Sequence, residues 1–145
     1  MHIVRYLLII LVLTVVACAS QPDRWFYGTW TITNATFAPV SAMSMDEAEQ
    51  WCGKQLHYHS WQVHFETEQC SQPSFNVEKL SAVDFYRMYR MSFEALQISG
   101  AEVEVLTVGC PRRWTSPGAT LIKVDDTTGY IQWDGIFFKV IRTAP

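Results

Sequence analysis

Residues 25–37 read Trp-Phe-Tyr-Gly-Thr-Trp-Thr-Ile-Thr-Asn-Ala-Thr-Phe, and this stretch decides the fold class of the chain. Within it Thr29 and Thr31 alternate with Trp30 and Ile32, so one face of an extended segment is polar and the other apolar. Such alternation is typical of an antiparallel strand with one face in the core and one in solvent. We therefore predict that this stretch is the first strand of an antiparallel sheet.

Further strands follow along the chain, separated by mostly short turns. The strand-like segments are 56–66, 75–77, 103–108, 119–124, 130–133 and 136–142. Asp134-Gly135 separates the last two segments, and this dipeptide is typical of a two-residue type I′ hairpin.

Two helices are predicted between these strands. Ser44 and Glu47 have the spacing of a capping box, and Gly53 supplies a C-terminal stop. Ser81 caps a second helix, whose apolar residues recur at helical spacing and which ends before Gly100. The order of elements predicts an α+β fold, in which an antiparallel, mostly closed barrel-like sheet is accompanied by two helices.

The N-terminal segment predicts export. Residues 1–17 carry one charged side chain, Arg5, ahead of an uncharged apolar run that ends at Ala17. This run is shorter than the roughly 20 residues of a membrane-spanning helix, and small residues follow it, as in a secretory signal peptide. We expect a signal peptide over 1–17 and a single mature domain over 18–145.

The end of the signal resembles a bacterial lipobox. Val15-Val16-Ala17-Cys18 places a small residue before a cysteine, which in lipoproteins becomes the acylated N-terminus. The resemblance implies a lipid anchor at Cys18 and attachment to the periplasmic face of a bacterial membrane. Ala19, rather than Asp, after the cysteine is compatible with sorting to the outer membrane. Ordinary signal peptidase cleavage after Ala19 also fits these residues, so both processing sites stay open.

Charge and motifs narrow the class of partner. The net charge is −3, and it becomes −4 when Arg5 leaves with the signal. Because there is no basic stripe, we do not expect nucleic acid as a partner. The sequence has no G-x-S-x-G, H-E-x-x-H, C-x-x-C, G-x-G-x-x-G or Walker motif. We therefore expect a protein that is not an enzyme and has no cofactor.

Three cysteines beyond the signal allow one intramolecular disulfide and leave one thiol. Cys70 and Cys110 each lie where a strand-like run breaks into a proline-containing turn. Cys52 lies on the apolar face of the first predicted helix. We predict a Cys70–Cys110 disulfide and a buried Cys52 thiol.

Two ends of the mature chain resemble one family. Gly28-Thr29-Trp30 on the first strand, together with Arg142 at the end of the last, is similar to the G-x-W motif and C-terminal arginine of the lipocalins and the wider calycin group. In that group the first and last strands meet and the arginine stacks on the indole. The resemblance implies barrel closure by Gly28, Trp30 and Arg142. An ordinary core tryptophan at position 30 explains the same residues.

His57 and His59 form a candidate metal pair, because alternate residues of one strand share a face. A single strand over 56–66 would place His64 on the opposite face, and Trp61 beside the pair suits packing better than coordination. We therefore expect no metal site here.

Arg112-Arg113-Trp114 forms a cationic loop with an aromatic residue, and such loops often carry protein contacts. The sequence thus favours an exported envelope lipoprotein that binds another protein, as an inhibitor or assembly factor. A lipocalin-like binder of a small apolar ligand is the alternative. An interior cavity of roughly 300 Å³ or more would favour the ligand binder over the protein-binding lipoprotein.

Overall fold

The computed structural model describes residues 24–144, so the expected signal peptide and the lipidation site Cys18 lie outside the described residues. In this range the chain forms β1 (Gly28–Phe37), α1 (Met45–Glu49), β2 (Gln55–His59), β3 (Gln62–Phe65), β4 (Glu68–Ser71), β5 (Ser74–Ser81), α2 (Ala82–Tyr89), β6 (Glu102–Gly109), β7 (Thr120–Lys123), β8 (Thr128–Trp133) and β9 (Ile136–Ala144).

All these strands belong to one antiparallel sheet with the order β4-β3-β2-β1-β9-β8-β7-β6-β5. Among the described strands the ladder follows the chain order and also joins β1 to β9, and it is interrupted between β4 and β5. The expected antiparallel sheet with two helices is confirmed, but the sheet is an open, curled half-barrel rather than a mostly closed barrel. We call the gap between β4 and β5 the seam; residues 72–73 connect its two sides.

The expected single strand over 56–66 is a hairpin, and this prediction was wrong. β2 ends at His59 and β3 begins at Gln62, with His57 directly opposite His64 in the register. A two-residue turn pairs an odd-numbered residue with an even-numbered one, which reverses the alternation between the strands. His64 therefore shares the outer face with His57, while the side chains that face the core are Leu56, Tyr58, Val63 and Phe65.

α1 begins with the predicted capping box. The Ser44 side chain accepts a hydrogen bond from the Glu47 amide, and the Glu47 carboxylate accepts one from the Ser44 amide. The helix ends at Glu49, before the expected stop at Gly53, and a turn follows. Cys52 lies in this turn and is exposed, so its predicted burial on a helix face was wrong.

α2 begins at the predicted cap, since Ser81 accepts a hydrogen bond from the amide of Asp84. It ends earlier than the apolar spacing indicates, because Arg90 adopts a left-handed conformation at the C-cap. The apolar residues that continue the spacing, Phe93 and Leu96, pack from an irregular segment into the same core.

Two apolar clusters cover opposite faces of the sheet. Leu121 and Phe138 belong to the cluster inside the curve, whereas their chain neighbours Ile122 and Phe137 belong to a second cluster under α2 and residues 91–98. Parts of the strands β6–β9 are therefore buried on both faces. The outer faces of β2 and β3 instead carry polar, partly exposed side chains.

β1 and β9 pair along most of their length, with Trp30 opposite Arg142. The guanidinium carbon of Arg142 lies 5.6 Å from the centroid of the Trp30 ring, and the guanidinium donates two hydrogen bonds to the carbonyl of Tyr27. Gly28, at the start of β1, has a φ of 117°. First and last strands thus meet in the middle of the ladder, while the opening lies at the seam.

Candidate functional site

The interior of the half-barrel is filled by its own side chains. Trp30, Leu56, Tyr58 and Phe138 are each 0% exposed. A side chain that lined a water-sized void would keep some accessible surface, so no such void adjoins these residues. The polar atoms are also satisfied internally: Trp30 Nε1 donates to the Phe26 carbonyl at 2.9 Å, and the Tyr58 hydroxyl donates to the Gly118 carbonyl at 2.9 Å.

The cationic loop belongs to a longer segment, residues 110–118, which is attached to the sheet at its first residue, Cys110. Cys70 on β4 and Cys110 after β6 form a disulfide, with their Cα atoms 5.8 Å apart. These are the two cysteines that share a turn context in the sequence. Because β4 is one side of the seam and β6 supports the other, the disulfide spans the opening and fixes the start of the loop.

The end of the loop is fixed by a close backbone approach at Gly118. Its φ is +95°, and a Cβ at this position would lie 3.1 Å from the Tyr58 hydroxyl and collide with the Leu56 side chain. Burial raises the pKa of Tyr58 far above its ordinary value, which keeps the hydroxyl protonated as a donor to the Gly118 carbonyl. Residues 110–118 are therefore held at both ends.

A cleft lies between β4 and this loop, and we call it the contact cleft. Its volume is about 450 Å³. The side chains around it include Gln69, Ser71, Gln72, Arg112, Arg113 and Trp114. The structure therefore brings the three predicted loop residues together with one edge of the open sheet.

Two exposed cations and two buried polar atoms lie in the loop beside the contact cleft. Arg112 and Arg113 are exposed and form no ion pair with another residue in the range 24–144. In the same loop Trp114 Nε1 and Ser116 Oγ are buried and have no hydrogen-bond partner among the described residues. Buried polar atoms are rarely left unpaired in folded proteins, and such atoms need an explanation. A ligand that supplies acceptors and negative charge would pair with the exposed guanidinium groups of Arg112 and Arg113.

Other surface features are less suited to a ligand. A shallower cavity of about 710 Å³ lies beside Lys79 and Lys123, but Lys123 is already paired with Glu104 at 3.6 Å and with Asp126 at 3.3 Å. α2 exposes apolar side chains, including Tyr86, and nothing in the structure indicates what would cover them.

The cleft residues on β4 were missed in the sequence, where Gln69, Ser71 and Gln72 lie in no recognisable motif. One signal was present. A Cys70–Cys110 bridge places the neighbours of Cys70 beside the residues that follow Cys110, so the predicted disulfide already implied them.

The outer face of the β2–β3 hairpin gathers three histidines. The ring centroids of His57 and His64 are 4.2 Å apart, and His59 stacks on the exposed Trp61 with centroids 4.9 Å apart. Thr29 Oγ1 and His57 Nδ1 are hydrogen-bonded at 3.0 Å. Burial, and to a smaller extent the neighbouring histidines, lowers the pKa of both His57 and His64. Within residues 24–144, no group of three or more His, Cys, Asp or Glu side chains is placed to hold a metal ion.

No protein-family model matches the chain, and no curated protein or solved structure matches it either. No helix within the described range is both long enough and apolar enough to cross a bilayer. Function therefore has to be argued from the chemistry of the site.

Proposed function

We propose that this chain is an exported lipoprotein of the bacterial envelope that binds another protein through the contact cleft. Anchoring rests on the apolar run that ends directly at Ala17-Cys18. Acylation of Cys18 holds the domain at the periplasmic face of the outer membrane, since two or more acyl chains give stable anchoring. The partner is then an envelope protein within reach of the membrane surface.

The observation that carries this proposal is that the guanidinium groups of Arg112 and Arg113 are exposed and form no ion pair within residues 24–144. Arginine presents a planar set of donors that matches a carboxylate with two parallel hydrogen bonds. A hydrogen bond with a charged group contributes roughly 1.5–3 kcal/mol, more than one between neutral groups. Because the loop is already held by Cys110 and Gly118, binding orders little additional chain, which lowers the entropic cost of association.

The cleft also defines the shape of the bound segment. A volume of about 450 Å³ accommodates a few side chains rather than a folded surface. Gln69 and Gln72 line the β4 side of the cleft, and the arginines lie on the other side. We therefore expect an extended segment of the partner that carries Asp or Glu side chains.

The resemblance to lipocalins would imply a small apolar ligand inside the sheet. Complete burial of Trp30, Tyr58 and Phe138 weighs against this function, because a ligand would have to displace them. The protein-binding function is the better supported of the two.

Affinity capture from envelope extracts tests the proposal with three proteins. The first is the mature chain, and the second carries Arg112→Ala and Arg113→Ala. The third is a control with the same charge change, Lys79→Ala and Arg87→Ala, at two exposed cations outside the cleft. We expect the cleft variant to recover at least tenfold less of a specific partner, which corresponds to about 1.4 kcal/mol. Equal recovery by all three proteins, or equal losses in both variants, would refute binding through the cleft.

A further inference from the structure

We infer that His57 and His64 form a binding site for one Cu²⁺ ion on the outer face of the β2–β3 hairpin. We expected no metal here from the sequence, because a continuous strand would place His64 on the opposite face from His57 and because Trp61 suits packing better than coordination. The hairpin instead makes them directly opposed cross-strand partners. Such partners have Cβ atoms about 4.5–5.5 Å apart, so their imidazoles can converge on one ion.

The two rings lie close enough to share one ion. Their centroids are 4.2 Å apart and their planes are inclined by 40°, and two imidazoles bound to one ion through metal–nitrogen bonds of about 2.0 Å have centroids roughly 4–5 Å apart. The chemistry of the nitrogen donors then selects the ion. A tetragonal arrangement with nitrogen ligands is the one that Cu²⁺ prefers, and Cu²⁺ also binds nitrogen ligands more tightly than the other divalent first-row ions.

A neighbouring hydroxyl orients one of the two rings. The hydrogen bond from His57 Nδ1 to Thr29 Oγ1 fixes one ring nitrogen and leaves Nε2 to bind the ion. His64 Nδ1 is buried and has no hydrogen-bond partner in the described part of the chain.

The remaining coordination positions are open to water. Gln69 lies opposite His64 on the next strand, and the His59 ring stacks on Trp61. Two protein ligands with exchangeable positions make a site that takes up Cu²⁺ from solution reversibly. This inference is independent of the contact cleft.

Titration with CuSO₄ tests the site in the mature chain purified without a histidine tag. Cys52→Ser is introduced in every protein, because this exposed thiol could bind copper itself. Isothermal calorimetry should give one Cu²⁺ per chain, and the electron paramagnetic resonance spectrum should show coupling to imidazole nitrogens. His57→Gln and His64→Gln should each weaken binding at least tenfold.

His59→Gln is the matched control, since it removes an imidazole from the same face two residues away, and its affinity should equal that of the parent protein. Circular dichroism verifies that each variant is folded. Undiminished binding in the His57→Gln or His64→Gln protein, or an equal loss in His59→Gln, would overturn the site. Zn²⁺ binding as tight as that of Cu²⁺ would overturn the assignment of the ion.

Discussion

Replacing Arg142 by Ala tests how the first and last strands of the sheet are joined. The substitution removes the cation that lies 5.6 Å from the Trp30 ring centroid. It also removes both hydrogen bonds that the guanidinium donates to the Tyr27 carbonyl; in one of them Nε lies 3.1 Å from the carbonyl oxygen.

The magnitude follows from these contacts. A cation over an aromatic ring contributes about 0.5–2 kcal/mol, and a hydrogen bond with a charged donor roughly 1.5–3 kcal/mol. Arg142 is only half-buried, so water replaces part of both interactions, and we expect a loss of about 2 kcal/mol. Trp30→Ala removes a fully buried side chain and should cost about 3–5 kcal/mol. Because the two side chains touch, the double variant should lose about 1 kcal/mol less than the sum of the single losses.

The free energy of unfolding is measured for the parent, the two single variants and the double variant, which together form a double-mutant cycle. Unfolding by urea is followed by far-ultraviolet circular dichroism with the disulfide intact. Arg142→Lys is the control: it keeps the cation but cannot reproduce the planar set of donors, so its stability should lie between those of the parent and the alanine variant. If Trp30→Ala does not fold, Trp30→Leu completes the cycle. Single losses that add within about 0.3 kcal/mol would refute a direct interaction between these residues.

Four further predictions concern separate parts of the chain. The intact mass of the mature protein should correspond to an acylated N-terminal Cys18, and a lipid-free chain that begins at Ser20 would contradict the anchor. Maleimide should modify Cys52 in the native protein, because this thiol is exposed, and reaction only after unfolding would contradict its position. The free energy of unfolding should fall as the pH decreases below about 6.5, the ordinary pKa of histidine. The pKa values of His57 and His64 are lowered in the folded chain, so the unfolded chain binds more protons than the folded one in this range. Replacing both residues by Gln should make the urea midpoint less dependent on pH between pH 5 and 7. Gly118→Ala should cost more than about 1 kcal/mol in urea unfolding, because it forces a side chain into a left-handed conformation against Tyr58, and an unchanged midpoint would show that the loop end is not constrained.

Features written in a few neighbouring residues could be predicted from the sequence. Alternation of Thr with Trp30 and Ile32 identified β1, and the Ser44 and Glu47 spacing identified the start of α1. These signals are local, because strand alternation and helix caps depend only on residues that are close together in the sequence. The disulfide pair Cys70 and Cys110 lies at bonding distance, as their shared turn contexts indicate.

Features that depend on the path of the chain could not be predicted in the same way. The turn at Ser60-Trp61 contains no Gly, Asn or Pro, so the alternation of residues 56–66 continued through it without a visible break. Arg90 ends α2 in a left-handed conformation that Gly or Asn would have signalled. β4 and β5 do not pair with each other although only residues 72–73 separate them, and the sequence pattern did not indicate this seam.

The outer face of the β2–β3 hairpin shows how one missed turn affected the prediction of a site. Placing His64 on the wrong face removed the partner of His57 from consideration, although both residues were recognised individually. The contact cleft was missed on its β4 side for a related reason, since Gln69 approaches Arg112 and Arg113 only across the disulfide. The loop residues of the contact cleft were predicted from the sequence, but the β4 residues on its other side were not.

Photo-crosslinking in living cells tests the central claim, binding of an envelope protein at the contact cleft, most directly. A photoreactive amino acid replaces Gln72, which lines the cleft, and in a separate control it replaces Thr33, which is exposed on β1 outside the cleft. We predict a discrete protein adduct from position 72 that is absent from position 33 and that disappears when Arg112 and Arg113 are both changed to Ala. No adduct at position 72, or the same adduct from both positions, would contradict the claim.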